Sequence, residues 1–216
     1  RLMGALIMTH SDDNGLVLPP NLAPIQLVIV PIYKGLEKLQ AISEVANKIK
    51  TELEAAGISV KYDDRDNFKP GYKFNDYELK GVPLRIAIGP RDLENKVVEL
   101  ARRDTLEKNL VPMEGLTQHI KATLDEIQTQ LFSKALKFRD EHITEVDDFD
   151  AFQSVLLDKG GFISAHWDGT PETEEAIKKQ TKATIRCIPL IESPQEGKCV
   201  YSCLLYTSDA ADDVRG

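Results

Sequence analysis

The feature that most constrains this chain is an apolar run, Ile25 to Ile32, whose β-branched residues follow one another without alternation. A strand with one face in water alternates in polarity. One that does not must be covered on both faces, as in the interior of a sheet flanked by helices. The next stretch supplies a cover: Leu36, Leu39, Ile42, Val45, Ile49 and Leu53 recur at spacings of three and four, the stripe of an amphipathic helix, and Gly57 follows as its C-terminal cap. Ile58 to Tyr62 then alternates as a second strand. A strand–helix–strand unit of this length implies a right-handed crossover between parallel strands. Leu84–Gly89, Lys96–Arg102 and Lys108–Met113 predict three more strands, so residues 25–113 read as a small α/β domain.

A long helix is predicted at about 115–142, with Leu116, Ile120, Leu124, Ile127, Leu131, Ala135 and Phe138 on one stripe, bridging this domain to a second. There, Asp147–Leu157 repeats the helical period and stops at Gly160-Gly161. Phe162–Trp167 and Ala183–Pro189 read as strands around a helix begun by Thr170-Pro171, a capping residue followed by proline at the first helical position. The second lobe is therefore also α/β. Upstream of the first domain, the three prolines of Leu16–Pro24 suit an extended linker. Before it come a polar turn, Ser11–Gly15, and an apolar run of strand length, Leu2–Met8. Because the chain opens at Arg1 directly onto that run, it is expected to be a segment of a longer protein.

With 42% hydrophobic and 29% charged residues in 216, wholesale disorder, collagen-like repeats and coiled coil are excluded. The apolar runs fall well short of the roughly 18 residues a membrane-spanning helix needs, so no membrane partner is expected. Lys and Arg number 27 against 35 Asp and Glu, a net charge of −8. That argues against a sequence-wide basic coat but leaves room for a local nucleic-acid-binding face. Three cysteines without a secretory h-region fit a reducing, cytoplasmic setting better than a disulfide framework.

The basic residues do concentrate in one place. Between Asp63 and Asp92, the rings of Phe68, Tyr72, Phe74 and Tyr77 sit among Arg65, Lys69, Lys73, Lys80, Arg85 and Arg91. Cations for phosphates interleaved with π-faces for bases are what an unstacked, single-stranded RNA loop requires. A solvated loop whose rings belong to the core has the same composition.

The order of these residues is more specific. Phe68 to Arg85 (Phe-Lys-Pro-Gly-Tyr-Lys-Phe-Asn-Asp-Tyr-Glu-Leu-Lys-Gly-Val-Pro-Leu-Arg), preceded by Asp63-Asp-Arg and followed by Ile88-Gly-Pro-Arg-Asp, closely resembles the anticodon-binding domain of prolyl-tRNA synthetases. Residues 1–26 resemble the last class II catalytic motif running into that domain, and 183–202 resemble the C-terminal zinc-binding-like domain of the eukaryote/archaeal-like form, shared with some bacteria. On this resemblance, residues 1–20 are the end of the catalytic domain (the motif 3 strand) with its linker, 21–114 a mixed-sheet anticodon-binding domain, 115–145 the bridging helix and 146–202 a small α/β C-terminal domain. Residues 203–216 look like translated read-through of a sequencing-library adapter and are set aside as non-native.

The resemblance implies a homodimeric cytoplasmic ligase that activates proline with ATP and Mg²⁺ and transfers it to proline tRNA, tRNA(Pro). The present segment would hold mainly the tRNA-reading half, with no catalytic residue of its own. Proline anticodons carry two adjacent guanines. The positions matching the family's readers are Glu78 for the donor edge of one guanine, Arg91 with Asp92 for the other, and Phe74 as a stacking face; Lys69 and Lys73 are cations for the backbone. Glu78 as a helix-surface acid and Phe74 as a core ring remain alternatives. Arg1 matches the arginine that lies against ATP. In zinc-bearing relatives two cysteine pairs build a closed site. Here Asp168 and Thr173 stand where the first pair would fall, and the second is reduced to Cys199 and Ser202, with Cys187 and His166 as further donors, so zinc is not expected. A non-catalytic nucleic-acid-binding module with an anticodon-domain fold is the alternative function.

Overall fold

A computed structural model describes residues 1–33, 35–189 and 197–206, which divide into two units, Arg1–Ala135 and Leu136–Gly216. In the first, the unalternated run becomes strand β1 (Leu27–Pro31), buried along its whole length. Helix α2 (Leu36–Ala55) follows, and ends as the glycine predicted: Gly57 takes φ +85°, its N–H bonds the Glu54 carbonyl at 3.0 Å, and Ile58 N–H bonds that of Leu53 at 3.0 Å. Strand β2 (Val60–Tyr62) returns parallel to β1, Leu27 opposite Val60.

Helix α3 (Pro70–Leu79) leads to β3 (Leu84–Ile88), which is parallel to β1 on its other side. After the short helix α4 (Pro90–Asn95), β4 (Val97–Arg102) and β5 (Lys108–Pro112) add antiparallel. The sheet order is β2-β1-β3-β4-β5. Side-chain alternation then divides the core between the two faces. Leu27, Ile29, Leu84, Ile86, Ile88, Val98 and Leu100 pack with α2 and with Leu116–Leu131 of the long helix α5 (Leu116–Glu141). Val28 and Val30 face the other way, against Tyr77, Val82 and Phe74 around α3.

Leu2–Met8 is a correction. The run expected as a strand is helix α1 (Leu2–His10), which buries none of its residues. Leu, Met and Ala favour the helix intrinsically, and no strand among the described residues pairs with the run. The linker does not hang free either: Val17 enters the main core, and Pro20–Leu22 forms a turn of 3-10 helix.

The second unit holds the parallel pair β6 (Ile143–Glu145) and β7 (Phe162–Ser164), with α6 (Phe149–Asp158) between them. Asp148 caps α6, its carboxylate accepting from Ala151 N–H at 2.8 Å. Helix α7 (Pro171–Thr181) follows, and β8 (Gly197–Lys198) pairs with β9 (Leu205–Tyr206). The core is Val146, Phe152 and Val200 with Phe149, Leu156, Ile163 and Ile177 around them. One expectation is corrected here. Residues 183–189 form no strand: they are almost wholly exposed and have no ladder partner among the described residues. At the start of the segment set aside as non-native, Leu204 O accepts from Cys199 N–H at 2.8 Å and β9 lies beyond it. Residues 207–216 lie outside the described ones.

Candidate nucleic-acid interface

Helix α3 starts where Lys69 and Pro70 permit. Proline at the first helical position loses no hydrogen bond, and Lys69 is extended at φ −67°, ψ 151°. Facing inward, the helix places Lys73 and Tyr77, each 2% exposed; Phe74 and Glu78 lie half-buried beside them. Lys73 corrects an expectation: its ammonium donates to the Asp63 carbonyl at 3.0 Å and lies 3.6 Å from the Asp63 carboxylate, so it is a strut within the fold and not a group presented to phosphate. Burial alone would raise the Asp63 carboxyl, but hydrogen bonds from Arg65 and the charge of Lys73 outweigh it and hold the group at about 2. Tyr77 moves the other way, to about 12, through burial and the Asp63 charge.

Across from α3, β3 contributes Arg85, 4% exposed. Its guanidinium lies 3.6 Å from the centre of the Phe74 ring, a cation–π stack. One terminal nitrogen reaches Glu99 at a long 3.4 Å, while Nε and Nη2 find no acceptor among the described residues. Burial pulls its pKa down, and Glu99 and Glu78 oppose that pull. Phe74, Tyr77, Glu78, Val82, Arg85, Ala101, Arg102 and Arg103 line one pocket at this place. The predicted pair Phe74 and Glu78 is thus brought together with an arginine that the sequence showed only as one basic residue among several. A ring stacked by a guanidinium, a carboxylate acceptor and guanidinium donors without acceptors among the described residues lie together here, the chemical complement of a flat heterocycle with donors on one edge and acceptors on another.

Arg91 and Asp92 lie elsewhere, in α4 beyond the other end of β3, roughly 13 Å of strand away at about 3.3 Å per residue. Arg91 is exposed. One Asp92 oxygen accepts from Gly89 N–H at 2.7 Å and caps α4, which leaves the other open. Lys69 is exposed at the start of α3, near a stack of Phe68 on Tyr72 with centroids 4.5 Å apart and Arg65 over Phe68 at 4.9 Å. Arg1 is exposed ahead of α1, which buries nothing.

In the second unit the four positions read as vestiges of a thiolate site converge on Asp168. Its carboxylate accepts from Ser202 Oγ, from Thr173 Oγ1 at 2.8 Å and from Thr170 N–H and Oγ1 at 3.1 and 2.9 Å, while Ser202 N–H meets Cys199 Sγ at 3.4 Å. Burial would raise the carboxyl, but the Ser202, Thr170 and Thr173 donors win and hold it at about 2. This set offers a metal one carboxylate and one thiol, which does not match a closed tetrahedral zinc site. Among the described residues no three His, Cys, Asp or Glu side chains gather as metal ligands.

Comparison with known proteins agrees with this division. Residues 26–123 match the family model "Anticodon binding domain" and residues 149–209 the model "Prolyl-tRNA synthetase, C-terminal". Over 202 residues the chain is 66% identical to a proline–tRNA ligase of Christiangramia forsetii, 62% to one of Flavobacterium psychrophilum and 60% to one of Parabacteroides distasonis. Each alignment covers 94% of this chain and 41% of the relative.

Proposed function

Since the chain carries the anticodon-binding and C-terminal domains of the prolyl-tRNA synthetase family, we propose that its first unit reads the anticodon of proline tRNA in the pocket between α3 and β3. The observation that carries this is Arg85, a nearly buried guanidinium stacked on the Phe74 ring, with donors that find no acceptor among the described residues, in a pocket that Glu78 also lines. Guanine offers acceptors at O6 and N7 and donors at N1–H and N2–H₂, and the pocket presents the complement of both. Phe74 orders Arg85 on one side. Glu78 supplies the acceptor.

Arg91 and the free oxygen of Asp92 serve the neighbouring guanine from beyond the far end of β3. Lys69 neutralises a backbone phosphate close to the N–H groups at the start of α3. The parent protein is a cytoplasmic homodimeric ligase that activates proline with ATP and Mg²⁺ and transfers it to tRNA(Pro), with Arg1 among its ATP contacts. Its form is the eukaryote/archaeal-like one, supported by the order of a C-terminal domain after the anticodon-binding domain, although the relatives compared are bacterial.

The test is filter binding of proline-tRNA transcripts in which each guanine is replaced in turn by adenine. Glu78→Ala costs about 1–3 kcal/mol on the guanine transcript and erases discrimination at one position only. Equal losses on every transcript would overturn the assignment.

A further inference from the structure

Arg103 is 3% exposed and joins three segments that are distant in sequence. Its Nε donates to the Glu78 carbonyl at 2.9 Å, and its two terminal nitrogens grip both oxygens of Asp12 at 2.8 and 2.6 Å. Asp12 opens a tight turn closed by reciprocal backbone bonds with Gly15, each 3.1 Å. The chain then runs along the end of α3: Leu16 N–H donates to Leu79 O at 3.1 Å, and Leu18 N–H to Gly81 O at 3.3 Å. Two glycines permit the approach. At Gly15, φ +129°, a Cβ would stand 2.6 Å from Leu79 Cα; at Gly81, φ +72°, it would stand 2.7 Å from Leu16 Cβ. The last carbonyls of a helix lack partners within it and its final turn frays unless they are met. Around the end of α3, Glu78, Leu79 and Gly81 are met by Arg103 and by the linker.

We infer that Arg103 is a positioning residue coupling the base-reading Glu78 to the segment Asp12–Leu18 that enters the domain. The coupling rests on the reading of Glu78 given above. A side chain that reads a base must be held within about half an ångström, and Glu78 sits on the last turn of a ten-residue helix. The Arg103 fork, with one arm on the Glu78 carbonyl and two on Asp12, ties the aim of that turn to the docking of the linker. Binding a guanine there therefore tightens the linker, and releasing the linker loosens the aim. Lysine keeps the charge but has no fork, so it cannot hold both partners.

The experiment is hydrogen–deuterium exchange on the full chain, with and without a saturating anticodon stem–loop RNA bearing both guanines, together with binding to the adenine-substituted loop. In the parent chain the RNA slows exchange in residues 70–79 and also at the amides of Leu16 and Leu18. Arg103→Lys and Asp12→Ala keep the protection of α3, lose the RNA-dependent slowing at 16 and 18, and lower the preference for guanine over adenine about tenfold, the scale of one base contact. The Asp12 side chain is 39% exposed, so Asp12→Ala retains the fold, which a thermal melt verifies. Protection of α3 with no change at Leu16 and Leu18 in the parent chain overturns the coupling and leaves the Glu78 reading standing. Protection of neither segment, with equal losses on all transcripts for Glu78→Ala, overturns both.

Discussion

Replacing Arg85 by methionine should make the first unit more stable and less able to bind guanine. In the parent chain Nε and Nη2 are buried without acceptors among the described residues, and each such group costs about 1–3 kcal/mol. Against that, the variant gives up a 3.4 Å contact to a Glu99 side chain that is 37% exposed, worth at most about 1 kcal/mol. It also trades a cation–π stack on Phe74, about 0.5–2 kcal/mol, for a sulfur–aromatic contact of about 0.3–1.5. Taking the low end of the desolvation cost leaves a net gain of about 1 kcal/mol, or a rise of about 3 °C in the melting temperature of a unit this size. Binding moves oppositely: loss of the guanidinium removes about 1–3 kcal/mol on the guanine loop and nothing on a loop with adenine at that position. Differential scanning calorimetry and fluorescence anisotropy read the two quantities. A variant that melts several degrees lower and still discriminates guanine would show that Arg85 is a structural residue and refute the reasoning.

Three further outcomes follow from the charges around it and in the second unit. Asp168, held at about 2 against about 3.9 when unfolded, contributes stability that is present above pH 4 and lost as pH falls toward 2. With partial exposure discounted, the contribution is about 1–2 kcal/mol; Asp168→Asn should remove it at neutral pH and flatten the acid limb, followed by the fluorescence of Trp167, the one tryptophan of the chain. Lys69→Ala should weaken binding to all RNAs alike and lower the salt slope by about one, whereas Lys73→Ala should cost about 3 kcal/mol of stability, read by urea titration, with the RNA affinity of the folded chain unchanged.

Where the fold could be read in advance, local physics and tertiary structure agreed. The unalternated β1 run, the α2 stripe with Gly57, the Thr170-Pro171 start of α7 and the glycine stop after α6 each depend on a few neighbouring residues, and each forms. The failures came where a segment's state depends on a partner. Leu2–Met8 is equally apolar as strand or helix and has no strand beside it among the described residues, so helix propensity decides; Ala183–Pro189 has β-forming residues and no ladder among the described residues. The site divides similarly. Phe74 and Glu78, four apart on one helix, come together as their spacing requires. The role of Lys73 is not legible in the sequence, because a basic residue between two rings has the same sequence whether it faces Asp63 or water. Arg85 was visible only as part of a basic cluster: its burial and free donors arise from β3 lying beside α3, and the hydrophobic residues on either side of it were the only hint that it points into a covered face.

The double duty of α3 bears on how such an interface can change over evolutionary time. Its inner residues, Lys73 and Tyr77, seal one side of the sheet, while Phe74 and Glu78 line the neighbouring pocket from the same turns. An insertion or deletion within α3 cannot shift these residues without unsealing Val28 and Val30. On the reading proposed above, its preference drifts by exchange of side chains such as Phe74 and Glu78 on a fixed scaffold, and altered affinity is expressed in how long the complex lasts.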